Sequence, residues 1–196
     1  MREAPTLIDA YLPVFDVRER HETRVRANPA RAFAALRDLD WNRSRVVRAL
    51  FALRTLPERL QSRGPRPDRA ETTLLEMALS AGWKILEEIP NEELVAGAVT
   101  QPWEPVVHFR GMSGDAFRAF AEPGFAKIAW SFAARPAGEG FSLVRTETRV
   151  ATTDPRSRRR FRRYWRIFSP FIGLIRILAL RLVRRDLDRM PPTRGV

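Results

Sequence analysis

A chain of 196 residues, 44% of them apolar, has enough hydrophobic surface for one packed core and is short for two, which excludes a wholly disordered protein. Cysteine is absent, and with it go disulfide frameworks, thiolate metal sites, iron–sulfur clusters and cysteine nucleophiles. The net charge of +12 is local: eleven arginines and no acid lie between Arg156 and Arg185, and removing those eleven from the 35 basic residues leaves 24 against 23 acids. Residues Met1 to Phe15 lack a basic start followed by an apolar run, and no run reaches the ~18 apolar residues of a membrane span, so a cytoplasmic protein is expected.

The first periodic signal is a strand over Phe15–Ala27, in which Phe15, Val17, Glu19, His21, Thr23, Val25 and Ala27 alternate with charged residues. Strict period 2 with one charged face points to an antiparallel sheet. Asn28 and Pro29 suit an N-cap and a first helical turn, which predicts a helix over Pro29–Leu39. A second helix is predicted over Ser44–Leu60, then a linker over Gln61–Glu71 and a short helix over Thr72–Ser80. Strands are predicted over Trp83–Ile89, Leu94–Gln101 and Pro105–Gly111, with one or two helical turns at Gly114–Ala121. Two long strands follow, Phe125–Ala134 and Phe141–Thr152. In the second, Arg145, Glu147 and Arg149 share one face, and Val144, Thr146, Thr148 and Val150 share the other.

The longest helical pattern is Arg156–Arg189, with Asp154 as its cap. Phe161, Trp165, Phe168, Ile172, Ile175, Ala179 and Leu182 recur at steps of three or four, the stripe of a helix packed on an apolar surface. Pro170 is expected to kink or split it. The tail from Met190 is expected to fray, and residues 1–196 read as one domain.

This order of elements resembles the START-like, or SRPBCC, superfamily, whose members include Bet v 1 allergens, polyketide cyclases and lipid-transfer domains. The residues that carry the resemblance are Ala27-Asn28-Pro29-Ala30-Arg31-Ala32-Phe33 at the strand-to-helix entry, the strand Phe141–Val150, and Gly173 within Phe168–Arg176 of the closing helix. The resemblance implies an α+β helix-grip fold: a curved antiparallel sheet wrapped around a long C-terminal helix, two short helices after the first strand, and a cavity between sheet and helix. The patterning yields six strands where the common form has seven.

Parity turns Glu19, His21 and Thr23 inward, and likewise Thr146 and Thr148 on the last strand, which the resemblance places beside the first. An acid and an imidazole in an apolar concavity can orient the polar end of a ligand, or form an acid–base pair, as in a cyclase or aromatase using Glu19 and His21. They can equally satisfy one another. Trp83, Trp130, Trp165 and Phe168 occupy apolar phases and suit either a cavity lining or an ordinary core. His108 alternates outward, so the two histidines form no metal site, and no nucleotide or cofactor motif is present. Trp103 belongs to a loop, where it can gate a cavity or pack over a strand end. Arg158, Arg159, Arg160, Arg162, Arg163 and Arg166 open the long helix, either as a solvated face or as a patch for an anionic membrane surface. Nucleic acid is disfavoured, because the interleaved Phe161, Tyr164 and Trp165 have the spacing of core residues. The expected function is carriage or sensing of a small hydrophobic molecule. The alternatives are the cyclase-like enzyme and a peripheral lipid-handling protein.

Overall fold

The computed structural model describes residues 5–39 and 73–189. They run α1 (Leu7–Tyr11), β1 (Val17–Val25), α2 (Pro29–Arg37), α3 (Leu74–Ser80), β2 (Lys84–Ile89), β3 (Glu93–Thr100), α4 (Gly114–Ala119), β4 (Ala126–Pro136), β5 (Ser142–Thr152) and α5 (Pro155–Arg189). The predicted helix Ser44–Leu60, the linker Gln61–Glu71 and the tail from Met190 lie outside the described residues. The fold is α+β, with an antiparallel sheet in the order β1-β5-β4-β3-β2 and a long C-terminal helix.

Local chemistry fixes the element ends. Asn28 Oδ1 accepts from Arg31 N at 2.9 Å, and Pro29 opens α2 where its missing N–H is harmless. Thr73 and Glu76 cap α3 reciprocally, through Glu76 N to Thr73 Oγ1 at 3.2 Å and Thr73 N to Glu76 Oε2 at 2.8 Å. In the β2–β3 hairpin turn Asn91 takes a φ of 64°, a left-handed conformation that asparagine tolerates better than branched residues.

The sheet is covered on both faces. On one, Val25, Val144, Phe132, Ala134, Leu94 and Ala96 pack under Phe33 of α2 and under Ala179, Leu180, Val183 and Leu187 of α5. On the other, Val95, Val99 and Ala129 pack under Ile8, Tyr11 and Leu12 at the N-terminal end and under Phe117 of α4. A third cluster joins Phe161 of α5 to Ala126 and Val150, with Trp103 packed against it, so this loop tryptophan covers a strand end.

Two expectations need correction. The described residues hold five strands, not six or seven. Pro105–Gly111 makes a single bridge, in which Val99 N donates to Arg110 O at 3.0 Å and Arg110 N to Val99 O at 2.9 Å. β2 stops pairing with β3 at Gly97, which leaves the edge free at Val99. Pro170 does not split α5, which continues through it. On β5, Arg145, Glu147 and Arg149 are buried despite their charge, at 8%, 1% and 3% exposure.

That burial follows from α1, a helix too short to announce itself. Glu147 receives a bidentate pair from Arg18, at 2.8 and 3.0 Å, and a third bond from Arg149 Nε at 2.6 Å. Arg149 also donates to Leu12 O at 3.1 Å and pairs with Asp9 at 2.7 Å, so the buried charges hold the N-terminal segment onto the sheet. Glu93 adds a second tie, accepting from Leu7 N at 3.1 Å.

Asp154 caps α5 as its position suggests. Oδ1 accepts from Arg156 N at 2.8 Å and Ser157 N at 2.9 Å, while Oδ2 accepts from Gly124 N at 2.7 Å and Ser157 Oγ at 2.5 Å. The Ser157 hydroxyl first, then these backbone amides, hold the carboxyl well below the usual carboxylate range. A depressed folded-state pKa stabilises above the unfolded value and is lost as pH falls. Asp154→Ala should therefore lower the melting temperature at neutral pH, and the gap from the parent should narrow as pH drops below the ordinary carboxylate value of 3.8. A gap independent of pH would show that the carboxylate charge is not what stabilises the cap.

Candidate functional site

Register brings the inward polar residues together on the face that α5 covers. Glu19 pairs with Thr148 and His21 with Thr146 across β1 and β5, and Thr148 and Thr146 lie opposite Trp130 and Phe132 on β4. Successive side chains of a strand alternate between faces, so this set forms one patch in the middle of the sheet. Trp130 Nε1 donates to Thr146 Oγ1 at 3.0 Å, and the Thr146 hydroxyl donates in turn to Ser131 O at 3.2 Å. Thr23, His21 and Glu19 are all half-buried.

The helix supplies the group that the sequence reading missed. Arg176 points at the patch, donating from Nη1 to Glu19 O at 3.4 Å and from Nη2 to the Thr148 hydroxyl. Its Nη1 lies 3.7 Å from Glu19 Oε2, within ion-pair reach but beyond a hydrogen bond. The Glu19 and Arg176 side chains are 19% and 13% exposed, and Glu19 Oε2 is buried with no hydrogen-bond donor. One turn earlier on α5, Gly173 faces His21, where an added Cβ would make an ordinary contact with His21 Nε2 at 3.9 Å. A signal for Arg176 was present in the sequence: it follows Ile172 by four positions and precedes Ala179 by three, a charge in phase with the apolar stripe.

Burial sets the electrostatics. Desolvation raises the Glu19 carboxyl pKa, and the charges of Arg176 and His21 oppose it in part. Desolvation pushes the Arg176 guanidinium down to about 10, with Glu19 pulling the other way. The polar middle of the sheet also explains how α5 is seated. The expected anchors Trp165, Phe168, Ile172 and Ile175 are only half-buried, whereas Phe161 and the later Ala179, Leu180, Val183 and Leu187 are buried over apolar stretches.

The other candidates divide. Trp165 stacks on Phe161 at 5.5 Å and packs with Val17, Ile128 and Val150 beside the patch, and Phe168 stacks on Tyr164 at 4.6 Å further along the same helix. Trp83 is not brought to the patch. It precedes β2, at the opposite edge of the sheet from β1, roughly 19 Å away at the usual strand spacing, where it packs against the apolar core and meets Phe109 in a tilted ring contact at 5.5 Å. His108 is exposed in the loop before Arg110. Of the arginine cluster, Arg158 pairs with Asp16 at 2.6 Å and Arg160 with Glu104 at 3.4 Å, while all six residues are exposed.

No family model matches the chain, and no curated protein matches it. Among solved structures it is similar to one titled "Crystal structure of Ara h 8.0201", at 10% identity over 85% of this chain and 97% of that one, with a TM-score of 0.25. So remote a likeness adds nothing to the geometry above.

Proposed function

We propose that the chain binds a small, mostly apolar molecule between α5 and the sheet, with the molecule's one polar end at Glu19, His21, Thr148 and Arg176. The START-like resemblance suggested such a cavity. The observation that carries the reading is the unfilled hydrogen-bonding capacity at this point: Glu19 Oε2 is buried without a donor, beside a guanidinium that has five donors. A dry filled core has no use for that arrangement, because an unsatisfied buried polar group costs roughly 1 to 3 kcal/mol. Trp130, Phe132 and Trp165 flank it with apolar surface for the rest of the ligand.

The test uses two measurements. Organic extraction of the purified protein followed by mass spectrometry should release an amphiphile, and anilinonaphthalene sulfonate, an aromatic probe with an anionic end, should bind saturably to the extracted protein. Arg176→Gln should weaken probe binding by about 10- to 100-fold, the worth of a hydrogen bond to a charged group. An empty extract together with no saturable probe binding would defeat the proposal.

A cyclase-like reading of Glu19 and His21 draws on the raised Glu19 pKa, which favours a protonated acid next to an imidazole. Glu19→Leu separates the two: in a carrier it changes ligand preference, and in an enzyme it leaves the released molecule unconverted while binding persists.

A further inference from the structure

The outward side of α5 carries a pattern independent of the ligand site. Arg159, Arg163, Arg166, Ile167, Pro170, Leu174, Ile177, Arg181, Arg184 and Arg185 follow one another at steps that keep them within one stripe of a 3.6-residue helix, and all are exposed. Its middle is apolar, with Ile167, Leu174 and Ile177 at 63%, 42% and 38% exposure, and arginines stand at both ends. From Arg159 to Arg185 the stripe spans about 39 Å at 1.5 Å per residue. No helix among the described residues is long and apolar enough to cross a membrane, so this one is suited to lying on a surface rather than spanning it.

We propose that this face of α5 docks in the plane of an anionic lipid bilayer, with the terminal arginines on headgroup phosphates and Ile167, Leu174 and Ile177 entering the boundary between headgroups and acyl chains. Charge complementarity selects this occupant. The segment Arg156–Arg185 has eleven arginines and no acid, so a second copy seated on the stripe would set like charges against each other. Residues 40–72 of the chain carry eight arginines against four acids and would be repelled in the same way. Nucleic acid would engage the arginines but leaves three exposed aliphatic side chains in the centre unmatched, whereas a bilayer accommodates both.

The absence of cysteine makes the test direct. Leu174→Cys, labelled with an environment-sensitive fluorophore, should shift to the blue on mixed phosphatidylcholine–phosphatidylserine vesicles. A label at Val14→Cys should not, because Val14 is 81% exposed next to α1, which covers the opposite face of the sheet. Binding should weaken steeply with salt, since exposed charges are screened over about 8 Å at physiological ionic strength. Replacing Arg159, Arg163 and Arg166 together with Gln should lower vesicle affinity on the order of a hundredfold, at about tenfold or a little less per arginine. Ile167→Ser, Leu174→Ser and Ile177→Ser combined should abolish the salt-resistant part of binding, with an unchanged circular dichroism spectrum. Equal binding to pure phosphatidylcholine, an unshifted Leu174 label, a DNA duplex that binds more tightly than the vesicles, or a dimer dissolved by the serine variants would each overturn the proposal.

Discussion

Replacing Glu147 with alanine is expected to remove about 3 to 5 kcal/mol of folding stability, the usual cost of breaking a buried charge network by deleting one partner. Glu147 is 1% exposed and is the shared acceptor of Arg18 and Arg149. Without it the Arg149 side chain, 4% exposed, keeps Asp9, the Leu12 carbonyl and the face of the Phe15 ring. The loss should fall unevenly over the molecule. Arg18 is 39% exposed and can turn to water, so Arg18→Met should cost well under half as much. Arg149 also ties down the segment carrying Ile8, Tyr11 and Leu12, so hydrogen exchange of α1 should accelerate more than that of α5 in the Glu147 variant. Urea midpoints report the first effect and amide exchange the second. A stability loss below about 1 kcal/mol would mean that the network is replaceable by water and that α1 is held by its apolar contacts alone.

Side-chain parity was the most legible property of the sequence. It placed Glu19, His21, Thr146 and Thr148 on one face and Arg145, Glu147 and Arg149 on the other, and the register of β1 with β5 has them so. Parity says which residues share a face and nothing of what covers it. The covering of the β5 charges comes from Leu12, 137 positions away, through a five-residue helix that no periodicity window resolves. The apolar text of Val106, Val107 and Phe109 looked like a strand, but strand formation needs a partner with free backbone groups, and β3 offers them only at Val99. Arg176 escaped notice for a related reason. It is one of eleven arginines in a basic segment and stands out only by its phase, which puts it among Ile172, Ile175 and Ala179. The site was therefore half-visible: the sheet contributed residues whose polarity broke an alternation, and the helix contributed one whose polarity was camouflaged.

Arg176→Met tests whether that pair serves the fold or the ligand. Alone, the substitution should cost about 3 to 5 kcal/mol at neutral pH, because it strands Glu19 in a site where its carboxylate already lacks a donor. The pH dependence has a definite sign. Burial raises the Glu19 pKa above its ordinary 4.5, and a raised folded-state value contributes stability at low pH that is lost as pH climbs through it. Arg176 opposes the rise, so removing it leaves only His21 to do so and carries the decline to higher pH. The variant should thus recover much of its deficit when the pH is lowered toward 4.5, where Glu19 becomes neutral. Adding Glu19→Leu removes the stranded acid, and the double variant should return to within about 1 kcal/mol of the parent or exceed it, as apolar replacements of buried ion pairs often do. Additive single costs, with no coupling in the cycle, would show that the two side chains do not act as a pair. A double variant that is stable but no longer binds the anionic probe would assign the pair to recognition, since an apolar interface then suffices to seat α5 on the sheet and the charges have no remaining structural work.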